Sequence, residues 1–116
     1  MTEAEFKLEK EDLGDSVYIT LQGAFNSTTA QAIKQEILPH ASQKNILLEL
    51  SQVTILSSAG VGVLFEVVDV SSHEGKKLII INPSERVRQV INLTGFNEIF
   101  SIVPTLADAK KILAQA

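Results

Sequence analysis

Two short runs constrain this chain more than anything else in it: "ILLEL" (Ile46 to Leu50) and "LIII" (Leu78 to Ile81). Each is nearly continuous in leucine and isoleucine and too brief for a buried helix. A strand covered on both faces reads this way, whereas a strand with one wet face alternates. Strands covered on both faces belong to parallel sheets, whose connections are long enough to hold a crossover helix. The segments around the two runs carry helical spacing, so the chain reads as α/β.

The remaining elements follow from changes of period. "AEFKLEKED" alternates Phe6 and Leu8 with charged residues, and "SVYITLQGAF" sets Val17, Ile19 and Leu21 against Tyr18 and Thr20. Both read as strands, and the short turn "LGDS" between them predicts a hairpin. In "NSTTAQAIKQEILPHASQ", Ala30, Ile33 and Ile37 form a helical stripe with Leu38 beside it; Asn26 or Ser27 caps its start and Pro39 ends it. "NILLELSQVTIL" is a strand, followed by a helix from about Ser58 to about Ser72 that "HEG" closes. "KKLIIIN" is the next strand. "PSERVRQVINLTG" is a short helix with Pro83 and Ser84 at its start, Val87, Val90 and Ile91 inside and Gly95 as its stop. "FNEIFSIV" is a last strand. "TLADAKKILAQA" is a last helix, with Thr105 and Asp108 at capping-box spacing and Leu106, Ala109, Ile112 and Leu113 facing inward. The order is β-β-α-β-α-β-α-β-α. It predicts one mixed β-sheet with four α-helices mainly on one side, the two apolar runs central, and the lysine-bearing "EFKLEK" at an edge with its hairpin.

The chain has 116 residues, which suits a single domain spanning 1–116. It is 45% hydrophobic but only 5% aromatic, so the core is mainly aliphatic. A formal charge of −4 argues against nucleic acid as an electrostatic partner. With no cysteine, thiolate metal sites and disulfides are excluded. His40 and His73 lie far apart without ligand-spaced neighbours, so both read as solvated surface residues, and no metal or cofactor is implied. No apolar run is long and clean enough to insert in a membrane, and the acidic "MTEAEFKLEKEDLGD" has no signal core, which points to a soluble cytoplasmic protein.

Chemistry concentrates in "TILSSAGVGVLF", where the first of the two apolar strands turns into a helix. Part of it is packing and capping: Ser57 or Ser58 accepts an orphan backbone N–H, and Gly60 and Gly62 let the helix approach the sheet. A dinucleotide loop does not fit, because Phe65 stands at the third glycine position. A hydrolase elbow does not fit either, because it needs Gly-x-Ser-x-Gly. A serine at this junction that another protein phosphorylates needs no local catalytic machinery. Beyond the step, Val61, Leu64, Phe65 and Val68 fill one helical face and Val63, Val67 and Val70 another. Such a helix is either sandwiched or offers one face to a partner.

Along essentially its whole length the chain resembles the STAS domain family, shared by anti-sigma factor antagonists and sulfate transporter tails. The blocks that carry the likeness are "VYITLQGAFNSTTA", "ILLELSQVTILSSAGVGVL" and "KKLIIINPSERVRQVINLTGF". The middle block is the specific one. Antagonists have a strand, then Asp-Ser-Ser/Thr/Ala-Gly-Leu-Gly; here the residues are Ser57-Ser58-Ala59-Gly60-Val61-Gly62. The resemblance implies a protein that is substrate and ligand, not an enzyme. An anti-sigma factor with a histidine-kinase-like ATPase fold would bind its unphosphorylated form, release a sigma factor, and later phosphorylate Ser58; a serine phosphatase would restore binding. The implied contact surface comprises Asn26, Ser27 and Thr28 with Ser57, Ser58, Ala59, Gly60, Val61 and Gly62, and Val63 and Val67 on the outer side of the helix. Ser57 and Asn26 stand where the family often has Asp, and both keep capping ability. STAS domains that dock without phosphorylation, for example on bacterial transporter ATPases, give the alternative reading. The resemblance leaves the choice between monomer and dimer open.

Overall fold

The computed structural model describes residues 6–95 and 99–115. Nine elements run in the predicted order: β1 (Phe6–Asp12), β2 (Ser16–Phe25), α1 (Ala30–Ala41), β3 (Asn45–Leu56), α2 (Ser58–His73), β4 (Leu78–Ile81), α3 (Glu85–Thr94), β5 (Ser101–Val103) and α4 (Leu106–Ala114). The parts of the expected first and last strands at residues 4–5 and 96–98 lie outside the described residues; Ile99 and Phe100 form a turn before the short β5.

The five strands lie in one sheet in sequence order, β1-β2-β3-β4-β5. The hairpin pair is antiparallel and every other pair is parallel. Three successive crossovers of one hand deliver their helices to one face. The packing follows: α1, α2 and α3 cover the face bearing Val17, Ile19, Leu21, Ile46, Leu48, Leu50, Leu78 and Ile80. Only α4 covers the other face, seating Ala109 against Leu47, Ile79 and Ile81. Both faces of β3 and β4 are thus covered, which is why neither run alternates. The alternating β1 is an edge strand, as its pattern predicts.

Two local expectations need correction. Pro39 does not end α1; the helix continues to Ala41, which is fully buried and holds the last turn in the core. So near the end the proline removes only one helical bond, and the His40 carbonyl accepts from the Gln43 and Lys44 amides beyond it. His40 is half-buried rather than fully exposed, with Nε2 3.2 Å from the Lys10 ammonium. Burial first, then the charge of Lys10, holds its pKa below the ordinary histidine value. His73 is exposed as expected.

Candidate functional site: two adjacent strand-to-helix junctions

The junctions flanking the two central parallel strands come together because those strands end in register. Phe25 pairs with Leu56, and the Ser57 amide donates to the Phe25 carbonyl at 3.0 Å. The turn 26–29 therefore sits beside the start of α2.

That turn is held by reciprocal capping. Asn26 Oδ1 accepts from the Thr28 and Thr29 amides at 3.0 and 3.2 Å. Thr29 Oγ1 in return accepts from the Asn26 amide at 3.1 Å and donates to the Ala24 carbonyl at 2.7 Å. This is a capping box with threonine in the place of the usual glutamate. Asn26, one of the two residues expected to cap α1, makes these bonds in the turn ahead of it; the N-cap of the helix itself is Thr29, whose side chain makes no capping bond there. Thr29, which the sequence did not single out, is buried and pins the turn. Ser27 and Thr28 are left exposed.

The second junction departs from expectation. Ser57 is the N-cap of α2 in extended conformation, and its carbonyl accepts from the Val61 amide at 3.0 Å. Its side chain makes no capping bond, and among the described residues its buried Oγ has no partner. The helix start is instead held by close packing at Gly60. A Cβ there would stand 2.8 Å from the Phe25 carbonyl oxygen and 2.6 Å from Leu56 Cδ1. Gly62 does not share that role: it is exposed, and a Cβ there would meet open space.

Ser58 is exposed on the first turn, and Gly62 lies one turn further along the same outward face, with Glu66 and Asp69 beyond. Glu66 reaches across to Lys34 of α1 at 3.3 Å. Phe65 packs against Phe100 with ring centroids 5.5 Å apart. The expected outer placement of Val63 and Val67 is wrong. Val63 is 5% exposed and Val67 fully buried, and both belong to the main core. Gly60 and Val61 are buried as well. Three helices share one sheet face, and α2, packed against α1 and over β3 and β4, buries valines that seemed free to meet a partner. What remains accessible is Asn26, Ser27, Thr28, Ser58, Ala59 and Gly62, with part of Ser57. The regular i, i+4 spacing of Ser58, Gly62 and Glu66 was the available signal for the outward face.

Electrostatically, the start of α2 suits an anion. The first turn carries no acidic side chain, and the partial positive charge of a helix N-terminus lies under Ser58. Among the described residues no group of histidines and acids could hold a metal, and no helix is long and apolar enough to cross a membrane.

A five-stranded mixed sheet with this crossover order and a serine-glycine helix start defines the class of the chain as a small mixed α/β module. The STAS domain profile matches residues 7–109, and the chain belongs to the STAS domain family. BtrV of Bordetella bronchiseptica is 26% identical over 98 residues, covering 83% of this chain and 84% of BtrV. Among solved structures, an anti-sigma factor antagonist from Mycobacterium paratuberculosis superposes with a TM-score of 0.83 at 25% identity, over 96% of each chain. The anti-sigma factor antagonist SpoIIAA in its unphosphorylated form gives 0.80 at 20% identity, over 95% of this chain and 98% of its own. Its phosphorylated form gives 0.72 at 19%, over 92% and 99%.

Proposed function

We propose that this protein is an anti-sigma factor antagonist of the cytoplasm whose binding is switched by phosphorylation of Ser58. The observation that carries the reading is one exposed hydroxyl at the start of α2, beside a rigid capped turn and free of local acidic charge. The names of the relatives support the same reading. The partner is an anti-sigma factor with serine kinase activity. In the transfer, Ser58 Oγ forms a bond to the γ-phosphorus of ATP, the bond from that phosphorus to the β,γ-bridging oxygen breaks, ADP leaves, and the hydroxyl proton passes to a base of the kinase. A serine phosphatase reverses the modification by hydrolysis.

The switch acts at the contact surface. A phosphate of about −1.5 to −2 charges favours the start of the helix that bears it, so it does not unfold α2. Against a partner carboxylate about 5 Å away, two charges cost roughly 2 to 7 kcal/mol at effective dielectrics of 80 to 20. Each 1.4 kcal/mol or so is tenfold in affinity, so charge alone suffices to dissociate a micromolar complex.

The test uses the anti-sigma factor recovered by pull-down from the native host. Intact-mass spectrometry after incubation with that protein and ATP should show one added phosphate on the parent and none on Ser58→Ala, which should still bind. Gly62→Lys, which has open space for its side chain, should keep the folded circular-dichroism spectrum and weaken binding. An unchanged mass for the parent would sink the phosphorylation reading and favour a STAS scaffold that docks without modification, for example on a transporter ATPase.

A further inference from the structure

Past Leu8, the edge strand β1 offers α1 no apolar side chain. Phe6 and Leu8 pack against the main core, whereas Glu9 to Asp12 are exposed. Among the described residues, charge is what joins this half of β1 to α1 and the turn after it. The Lys10 ammonium lies 2.9 Å from Glu36 Oε1 and 3.2 Å from His40 Nε2, and Lys44 pairs with Asp12. One ammonium thus holds two side chains that stand four residues apart on the same face of α1. An ammonium has three donors and no acceptor, so in this contact Nε2 is the acceptor and the proton of the neutral imidazole sits on Nδ1. A proton added at Nε2 abolishes that acceptor and sets a second positive charge against Lys10. The protonated ring then has a carboxylate one turn away, and it is the one that Lys10 holds.

We infer that Lys10, Glu36 and His40 form a pH-operated latch between the edge strand and the last turns of α1, closed while His40 is neutral and opened on protonation, when His40 takes Glu36 from Lys10. The charged groups around the ring act in both directions. Burial opposes its charging most, followed by Lys10 of β1 and Lys44 of the turn after α1; Glu36 of α1 and Asp12 of β1 favour it. Burial and the two ammonium groups prevail, so the folded chain takes up this proton less readily than the unfolded one. The latch is therefore complete above the ordinary histidine value and is lost as pH falls through the lower folded value. Asp12 stays charged throughout that window, because Lys44 and the Gly14 amide hold its carboxyl below the usual aspartate value. The Lys44–Asp12 tie persists, and the opening is confined to the Lys10 end. The latch lies at the end of α1 far from the turn 26–29, so it stands or falls apart from the proposed role of Ser58.

The test follows the full chain by NMR from about pH 7.5 to about pH 5.5, reading the His40 ring and the protection factors of those amides in 9–12 that bond across to β2. Protection there should fall roughly threefold or more along the His40 titration curve, while that of β3 and β4 holds. His40→Gln, which cannot take up the proton, should abolish the step, and His73→Gln, at the exposed histidine of α2, should leave it in place. Lys10→Gln should raise the His40 midpoint, because a repelling charge is gone. Glu36→Gln should lower it, because the waiting carboxylate is gone. A His40 midpoint unmoved by Lys10→Gln, protection in β1 that stays flat across the titration, or a step that survives in His40→Gln would overturn the latch.

Discussion

Two helices in this fold begin the same way and are secured by different means. Both α2 and α3 follow a buried strand, and both have a serine N-cap in extended conformation: Ser57 at φ −96°, ψ 177° and Ser84 at φ −62°, ψ 164°. At Ser84 every polar atom is used. Its Oγ accepts from the Val87 amide at 3.3 Å and donates to the Val53 carbonyl at 2.7 Å, while its amide donates to the Leu50 carbonyl at 3.1 Å. β4 pairs with β3 only from Ile46 to Glu49, so Ser84 also serves carbonyls of β3 that β4 is too short to reach. At Ser57 the side chain bonds to nothing among the described residues, and the helix is set by backbone contact at Gly60. One junction is a structural clamp made from a side chain. The other is made from backbone and a missing side chain, which leaves its hydroxyls uncommitted where the proposed chemistry takes place.

The largest break in this contrast is Gly60→Ala. The new methyl would press on the Phe25 carbonyl oxygen, which is the acceptor of the Ser57 amide and cannot swing aside like a side-chain end. Relieving the overlap moves the start of α2 away from β2. A loss of about 2 to 3 kcal/mol is expected, read as a lowered urea midpoint with an unchanged slope. A fully stable Gly60→Ala protein would show that close packing does not set this helix start. A smaller effect is expected from Ser84→Ala. It removes the cap and leaves the Val53 carbonyl without its donor, for about 1 to 2 kcal/mol by the same measurement. A cost near zero would mean that the clamp is ornamental and that the two junctions do not differ.

These positions also show how far the sequence could be read. The strands, the helix order and the edge position of β1 were legible because period and burial are tied: Leu47 and Ile79 face α4 while Leu48 and Ile80 face the other helices, so the runs had to be continuous. The Thr105 cap was legible too: Thr105 Oγ1 accepts from the Asp108 amide at 3.1 Å, while Asp108 Oδ2 accepts from the Thr105 hydroxyl at 2.9 Å and not from its amide as in a full box. The outward face of α2 was not. Its valines occupy nearly every angle, and which of them are buried depends on how α2 seats against α1 and the sheet, a tertiary fact that one helix's pattern does not carry. The idle state of Ser57 was illegible for a related reason. Serine before a helix is the ordinary cap signal, and it stands before α3 as well, so only the three-dimensional surroundings separate the one that bonds from the one that does not.

The smallest expected effect is the most discriminating. A serine N-cap replaced by alanine ordinarily costs about 0.5 to 2 kcal/mol, because a helix amide loses its acceptor. At Ser57 there is no such bond to lose, and the hydroxyl removed is a buried group without a partner. Deleting an unsatisfied buried polar atom is neutral or mildly stabilising. Ser57→Ala should therefore change the urea midpoint by less than the equivalent of about 0.5 kcal/mol, in either direction, against the clear loss in Ser84→Ala. Measured side by side, the pair isolates the side-chain contribution at two caps of like backbone geometry. Equal losses at both would show that the Ser57 hydroxyl is engaged in solution, and the contrast between the junctions would fall with it. A neutral Ser57→Ala would also make that variant usable in the kinase experiment, where phosphate should still appear on Ser58 because the neighbouring hydroxyl takes no part in holding the helix.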